Sequence, residues 1–153
     1  MRLFSVRLVR LGLLALAVLC LREAQGRRQA AADAGALAAE RVRDFFPAAA
    51  AVRAPVSGPW HEVVDAAGGR LGEVCQTAPE SDRVIGYSGA TNCLIARDAG
   101  GNILGVRVLR SGDTADHLAE VVAERSFFQQ FRGKTAAELK GLAPVAVAGA
   151  TLT

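Results

Sequence analysis

The sequence predicts an α+β domain: a small antiparallel sheet of hairpins packed with short helices and preceded by an N-terminal signal or anchor helix. Three observations predict it. Alternating apolar segments divided by aspartate- and glycine-rich turns fill residues 60–109. After Thr114 the apolar spacing changes to the helical period. Before Arg27 lies a charged start followed by an apolar run. Strands followed by helices, in that order, argue against a doubly wound sheet.

Taken from the N-terminus, Arg2, Arg7 and Arg10 precede an uninterrupted apolar run from Leu11 to Leu21. A bilayer crossing needs about 20 residues, so residues 1–26 read first as a secretory signal, with an uncleaved membrane anchor as the alternative. Ala24-Gln25-Gly26 supplies small residues where a signal peptidase reads them. Residues 27–47 follow as an amphipathic helix: Ala34, Leu37, Ala38, Val42 and Phe45 recur at helical spacing, and Pro47 ends the pattern. Residues 48–153 form the main domain. Its first stretch, Ala48 to Pro59, is an alanine-rich linker or an irregular entry into the sheet.

Two hairpins are expected next. The first runs from Trp60 to Val64, turns at Asp65-Ala66-Ala67-Gly68-Gly69 and returns from Leu71 to Thr77. The second joins residues 92–97 to residues 103–109 through Asp98-Ala99-Gly100-Gly101-Asn102. Leu118, Val121, Val122, Phe127, Phe128 and Phe131 then suit one or two short helices with their apolar side inward. Thr135 and Glu138 have the spacing of a capping box.

Length and composition narrow the function. A chain of 153 residues that is 51% hydrophobic and 22% charged suits one folded domain plus a targeting segment. The formal net charge is +3, and Arg2, Arg7, Arg10, Arg22, Arg27 and Arg28 all flank the leader. Much of the basic excess therefore belongs to targeting, and a nucleic-acid partner is not expected. His61 and His117 belong to no spaced cluster of ligands, so no metal site is expected. Nucleophile elbows, phosphate loops and dinucleotide fingerprints are missing, so the motifs point to no self-contained enzyme. Cys75 and Cys93 read as two separately buried thiols, with a disulfide as the alternative.

Two tetrapeptides are nearly identical: Ser88-Gly89-Ala90-Thr91 and Ala148-Gly149-Ala150-Thr151. The second closes an ordered series of features: Phe45-Phe46-Pro47 after a helix, Gly86-Tyr87-Ser88-Gly89 leading into a strand, the hairpin carrying Asp98-Ala99-Gly100-Gly101, and the Ser111-Gly112-Asp113-Thr114 corner. In this order the chain resembles the FMN-binding domain of subunits of Na+-translocating quinone reductases and Rnf-type complexes, and of nitrous-oxide reductase regulator-like proteins.

The resemblance implies an extracytoplasmic electron-transfer domain of a membrane-associated redox system, anchored or exported through its N-terminal segment. Its implied partners are membrane-bound redox proteins and a flavin transferase. By position, Thr151 would carry FMN through a phosphodiester bond, with Gly149, Ala150 and Thr153 completing the motif. Glycine and alanine let backbone amides approach a phosphate closely. Ser88, Asp113 and Thr114 would lie near the flavin, although Asp113 or Thr114 can equally cap the following helix. Thr91 reads as part of a tight backbone approach rather than as the attachment residue.

Val145 and Ala148 depart from the family's attachment motif, which has an acidic residue and a serine or threonine there. Two alternatives thus stay open: a cofactor-free sensory or interaction domain of the same fold, and a fragment of a longer FMN and iron–sulfur membrane protein. Family members continue past the threonine motif, so the domain is expected to be truncated at its C-terminal end.

Overall fold

The computed structural model describes residues 10, 12–25, 37–55, 57–86 and 88–142. Residues divide into two compact units, Met1–Ala36 and Leu37–Thr153. In the first, residues 12–25 form a helix (α1) whose side chains are all exposed, among them Leu13, Leu14, Leu16 and Leu19. Among the described residues, no helix is long and apolar enough to cross a membrane.

The second unit is α+β. Five strands, β1 (Ala51–Val52), β2 (His61–Val64), β3 (Arg70–Gln76), β4 (Thr91–Asp98) and β5 (Ile103–Ser111), form an antiparallel sheet in sequence order. Helix α2 (Ala39–Val42) precedes the sheet, and α3 (Ala115–Ala123), α4 (Arg125–Gln129) and α5 (Ala136–Leu139) follow it.

Both expected hairpins form, and one device turns each. Asp65 Oδ1 accepts from the amides of Ala67 and Gly69 at 2.9 and 2.7 Å, and Asp98 Oδ1 accepts from the amide of Asn102 at 2.9 Å. A short aspartate side chain satisfies turn amides that the strands leave open. Gly68 and Gly101 take φ of +83° and +88°, the left-handed region that a side chain disfavours.

The amphipathic helix expected over 27–47 is shorter in its described part. Residues 26–36 lie outside the described residues, and α2 spans only Ala39–Val42 before the chain turns. The amides of Phe45 and Phe46 both donate to the Val42 carbonyl, at 3.0 Å each. Pro47 disfavours helical backbone at Phe46. The turn lets Phe46 enter the core while Phe45 packs against it. The stretch read as a linker contributes β1, where Ala51 and Val52 pair with Val64 and Val63.

Alternation along the strands sends side chains to opposite faces. One face carries the core: Val63, Val74, Leu94 and Ala96 pack against Val42, Phe46 and Ala49. Gly72 belongs to this face because a Cβ there would collide with the Arg97 carbonyl and reach 2.7 Å from Phe46 Cε1. Asn92 is fully buried, and its Oδ1 accepts from the Ala78 amide at 3.1 Å while its Nδ2 donates to Gln76 Oε1 at 2.7 Å. A buried amide needs such partners, and here they hold the chain leaving β3 against β4.

The other face is covered by α3 to α5, none of which contributes a buried residue. Gly133 and Lys134 tie these helices to the sheet edge: Ile103 N donates to Lys134 O at 2.9 Å, and Gly133 N donates to Ile103 O at 2.7 Å. Thr135 and Glu138 form the expected reciprocal cap of α5.

Candidate functional site

The alternation that buries Leu94 and Ala96 on one face of β4 places Thr91, Cys93 and Ile95 on the other. These three, with Ile103, Val106 and Val108 of β5, floor an apolar cavity of about 490 Å³. Trp60 and Thr77 also line it, and Val121, Phe127, Phe128, Phe131, Ala136 and Leu139 roof it from the helices. Phe127 meets Phe128 and Phe131 edge to face, with centroids 5.3 and 5.6 Å apart, the arrangement that aromatic quadrupoles favour. An adjoining recess of about 310 Å³ shares Val106, Val108 and Phe128 and adds Arg107, Arg125 and Gln129.

Each end of the cavity floor has its own chemistry. At the Thr91 end, Thr91 and Ser111 are strand partners whose hydroxyls lie 2.9 Å apart. Just beyond them two backbones meet at glycines: a Cβ on Gly112 would sit 2.7 Å from Gly89 Cα. The approach continues to Ser88, whose amide donates to Asp113 Oδ1 at 2.8 Å. The Ser88-Gly89-Ala90-Thr91 turn and the Ser111-Gly112-Asp113-Thr114 corner, read separately in the sequence, thus form one substructure.

Of the residues expected near a cofactor, Ser88 and Asp113 are brought together. Thr114 stands at the N-cap position of α3, but its side chain makes no capping hydrogen bond. Thr151, Gly149, Ala150 and Thr153 lie outside the described residues.

At the other end, Arg97 continues the Thr91, Cys93, Ile95 row of β4. Its guanidinium lies 3.7 Å from the centroid of the Trp60 ring, close enough for a cation–π contact. Glu73, its direct strand partner, accepts from Arg97 Nε at 2.7 Å and pairs with Arg70 at 2.9 Å. Glu62 extends the ladder to Arg53 at 3.2 Å. Pattern reading along the sequence passed over Arg97 and Trp60 as site residues. Arginine at an alternate strand position after two apolar ones was the available signal.

No family model and no curated protein matches the chain. Geometry and chemistry therefore carry the reading of the site.

Cys75 and Cys93 are both free thiols. Strand register opposes Cys75 to Ile95 and Cys93 to Val108, so the two thiols are diagonal rather than directly paired, an arrangement that spaces Cα atoms about 7–8 Å apart. Burial pushes the Cys75 thiol up to about 11, with Arg97 opposing and Glu80 and Glu73 reinforcing the shift. Burial also raises Cys93. Both are held as neutral thiols at physiological pH, and neither has the thiolate character of a nucleophile.

An FMN group can be tested against these surroundings. The cavity is within the size range of small-molecule sites and is lined by apolar and aromatic groups suited to a planar ring system. Beyond the Thr91 end, the Asp113 carboxylate can accept hydrogen bonds from hydroxyls such as those of a ribityl chain. Arg125 and Gln129 add polarity at the neighbouring recess. Among the described residues, the lining suits the apolar part of such a ring, and no cation lines the cavity.

Proposed function

We propose that this chain is an extracytoplasmic FMN-binding electron-transfer domain of a membrane-associated redox system, with Thr151 as its covalent attachment residue. One observation carries the reading: the Ser88 turn, joined to the Asp113 corner, leads into Thr91, which lines an apolar cavity of about 490 Å³. Trp60, Cys93, Ile95, Val106 and Phe128 would enclose the ring, and Asp113 would face the polyhydroxy chain. When bound, FMN supplies the capacity to accept and release electrons. The protein's own residues exclude water from the ring and orient it. The apolar run from Leu11 to Leu21 suits export or anchoring of the domain. Membrane-bound redox proteins and a flavin transferase are its partners in this reading.

Trp60 is the only tryptophan and lines the cavity, so its fluorescence reports occupancy directly. Addition of FMN is expected to quench it saturably, and Phe128→Ala is expected to weaken the effect. Tryptophan emission that does not respond to FMN overturns noncovalent binding at this site.

A cofactor-free interaction or sensory domain of the same fold is favoured by Val145 and Ala148, which replace polar positions of the attachment motif. Restoring Val145→Asp together with Ala148→Ser separates the two readings. Covalent flavin that appears only in the restored chain supports the cofactor-free one.

A further inference from the structure

We propose that the apolar cavity takes the hydrocarbon tail of a single-chain carboxylate, a fatty-acid-like ligand whose anionic head lies at Arg125 in the adjoining recess. This goes beyond the FMN reading and does not rest on it: tail and flavin ring are alternative occupants of the same walls.

The two faces of β4 are unequal. On the core face Asn92, Leu94 and Ala96 are fully buried, whereas Thr91, Cys93 and Ile95 on the cavity face are only partly so. Helices α3 to α5 lie over that face without contributing a buried residue. Apolar walls that stand apart forgo the dispersion contacts that close packing supplies. A hydrocarbon restores them. Water does not, because it needs roughly two to four polar partners and the lining exposes no polar surface. The two lining threonines show why: the Thr91 and Ser111 hydroxyls lie 2.9 Å apart, and Thr77 Oγ1 accepts from the Cys93 amide at 2.9 Å and from Ser81 Oγ at 3.0 Å. Both hydroxyls are engaged within the protein.

A carboxylate cannot follow the tail inside, since it would lose its water and gain no partner. A cation stands next door. Val106, Val108 and Phe128 line both the cavity and the recess of about 310 Å³, which holds two arginines. Arg107 is bound by Asp44 and by the Arg41 carbonyl. Arg125 is exposed and, among the described residues, has no ion-pair partner. The neighbouring Glu124 carboxylate accepts from the Ser126 amide at 3.2 Å. An uncommitted positive charge beside an apolar cavity is complementary to an anion that carries one tail.

Trp60 lines the cavity and is the only tryptophan, and bromine quenches tryptophan on contact. The experiment titrates the full chain with dibrominated stearate below its micelle concentration. Saturable quenching is expected, relieved by unbrominated octanoate, decanoate and dodecanoate, with competition strengthening about fourfold per added methylene until the cavity is full. Arg125→Gln is expected to weaken carboxylates about twofold to fivefold, the range of an exposed ion pair, and to leave the alcohol of the same length unchanged. Ala136→Phe, which adds a ring to the roof, is expected to weaken acid and alcohol alike, about fourfold for each methylene excluded. No quenching by dibrominated stearate, or quenching that the unbrominated chains do not relieve, overturns the proposal. So does an Arg125→Gln variant that weakens acid and alcohol equally, or quenching only by vesicles of brominated phosphatidylcholine, which would make the face a membrane contact. Quenching by FMN without a response to the brominated chain overturns the tail site and leaves the FMN reading standing; the reverse result supports the tail and removes FMN from the cavity.

Discussion

The Ser88 amide donates to Asp113 Oδ1 at 2.8 Å, joining the turn before β4 to the corner after β5. A carboxylate receiving a backbone amide is a charge-assisted acceptor. The bond is solvent-exposed, so Asp113→Ala is expected to lower unfolding free energy by about 1 kcal/mol. Asp113→Asn, which keeps an oxygen acceptor, should recover most of it. Midpoints of urea unfolding for the two variants measure the difference.

Behind that bond the chain has no room for a side chain. Gly112→Ala would put a methyl group 2.7 Å from Gly89 Cα, in contact with backbone that cannot rotate away. The expected cost is about 1–3 kcal/mol, seen as a lower thermal midpoint. Gly101→Ala makes a contrast: its Cβ meets nothing within 4 Å, and only the φ of +88° opposes it, so the loss there should be about 1 kcal/mol.

Asn92 tethers the chain leaving β3 to β4. Replacing it by alanine removes the acceptor of the Ala78 amide and the donor to Gln76 from a fully buried position. Asn92→Ala is expected to cost about 2–3 kcal/mol in urea unfolding. Faster amide exchange around Ala78 should accompany it, because the chain after β3 would lose its tether.

The Cys75 thiol supplies a pH test. Its folded pKa is raised by burial to about 11, above the ordinary thiol range. The folded state therefore keeps its proton at pH values where the unfolded thiol has lost it. The associated stability is fully present below the unfolded pKa and is lost as pH rises toward 11, by roughly 2–3 kcal/mol in total. Cys75→Ala should flatten the fall in unfolding free energy between about pH 9 and pH 11, and alkylation of native Cys75 at pH 8 should be slow.

The two hairpins were legible because Asp65 with Gly68 and Asp98 with Gly101 are turn chemistry written locally. The α5 cap was legible for the same reason, since Thr135 and Glu138 stand three residues apart. The cavity was not. Alternation shows that β4 is apolar on both faces, with Leu94 on one and Ile95 on the other, but says nothing of which face is filled by Phe46 and which is left open under Phe128. The meeting of Ser88 with Asp113 and of Trp60 with Arg97 depends on sheet register, which sequence spacing does not reveal. The early end of α2 reflects packing of Phe45 and Phe46 against the sheet, a tertiary demand that helical periodicity cannot express.

Intact-mass measurement of the full chain co-expressed with a flavin transferase, beside its Thr151→Ala variant, tests the central claim most directly. The proposed function predicts a mass increase of one phosphodiester-linked FMN in the unsubstituted chain, a visible flavin spectrum that survives denaturation, and neither in Thr151→Ala. An unmodified mass together with no bound yellow flavin would contradict it.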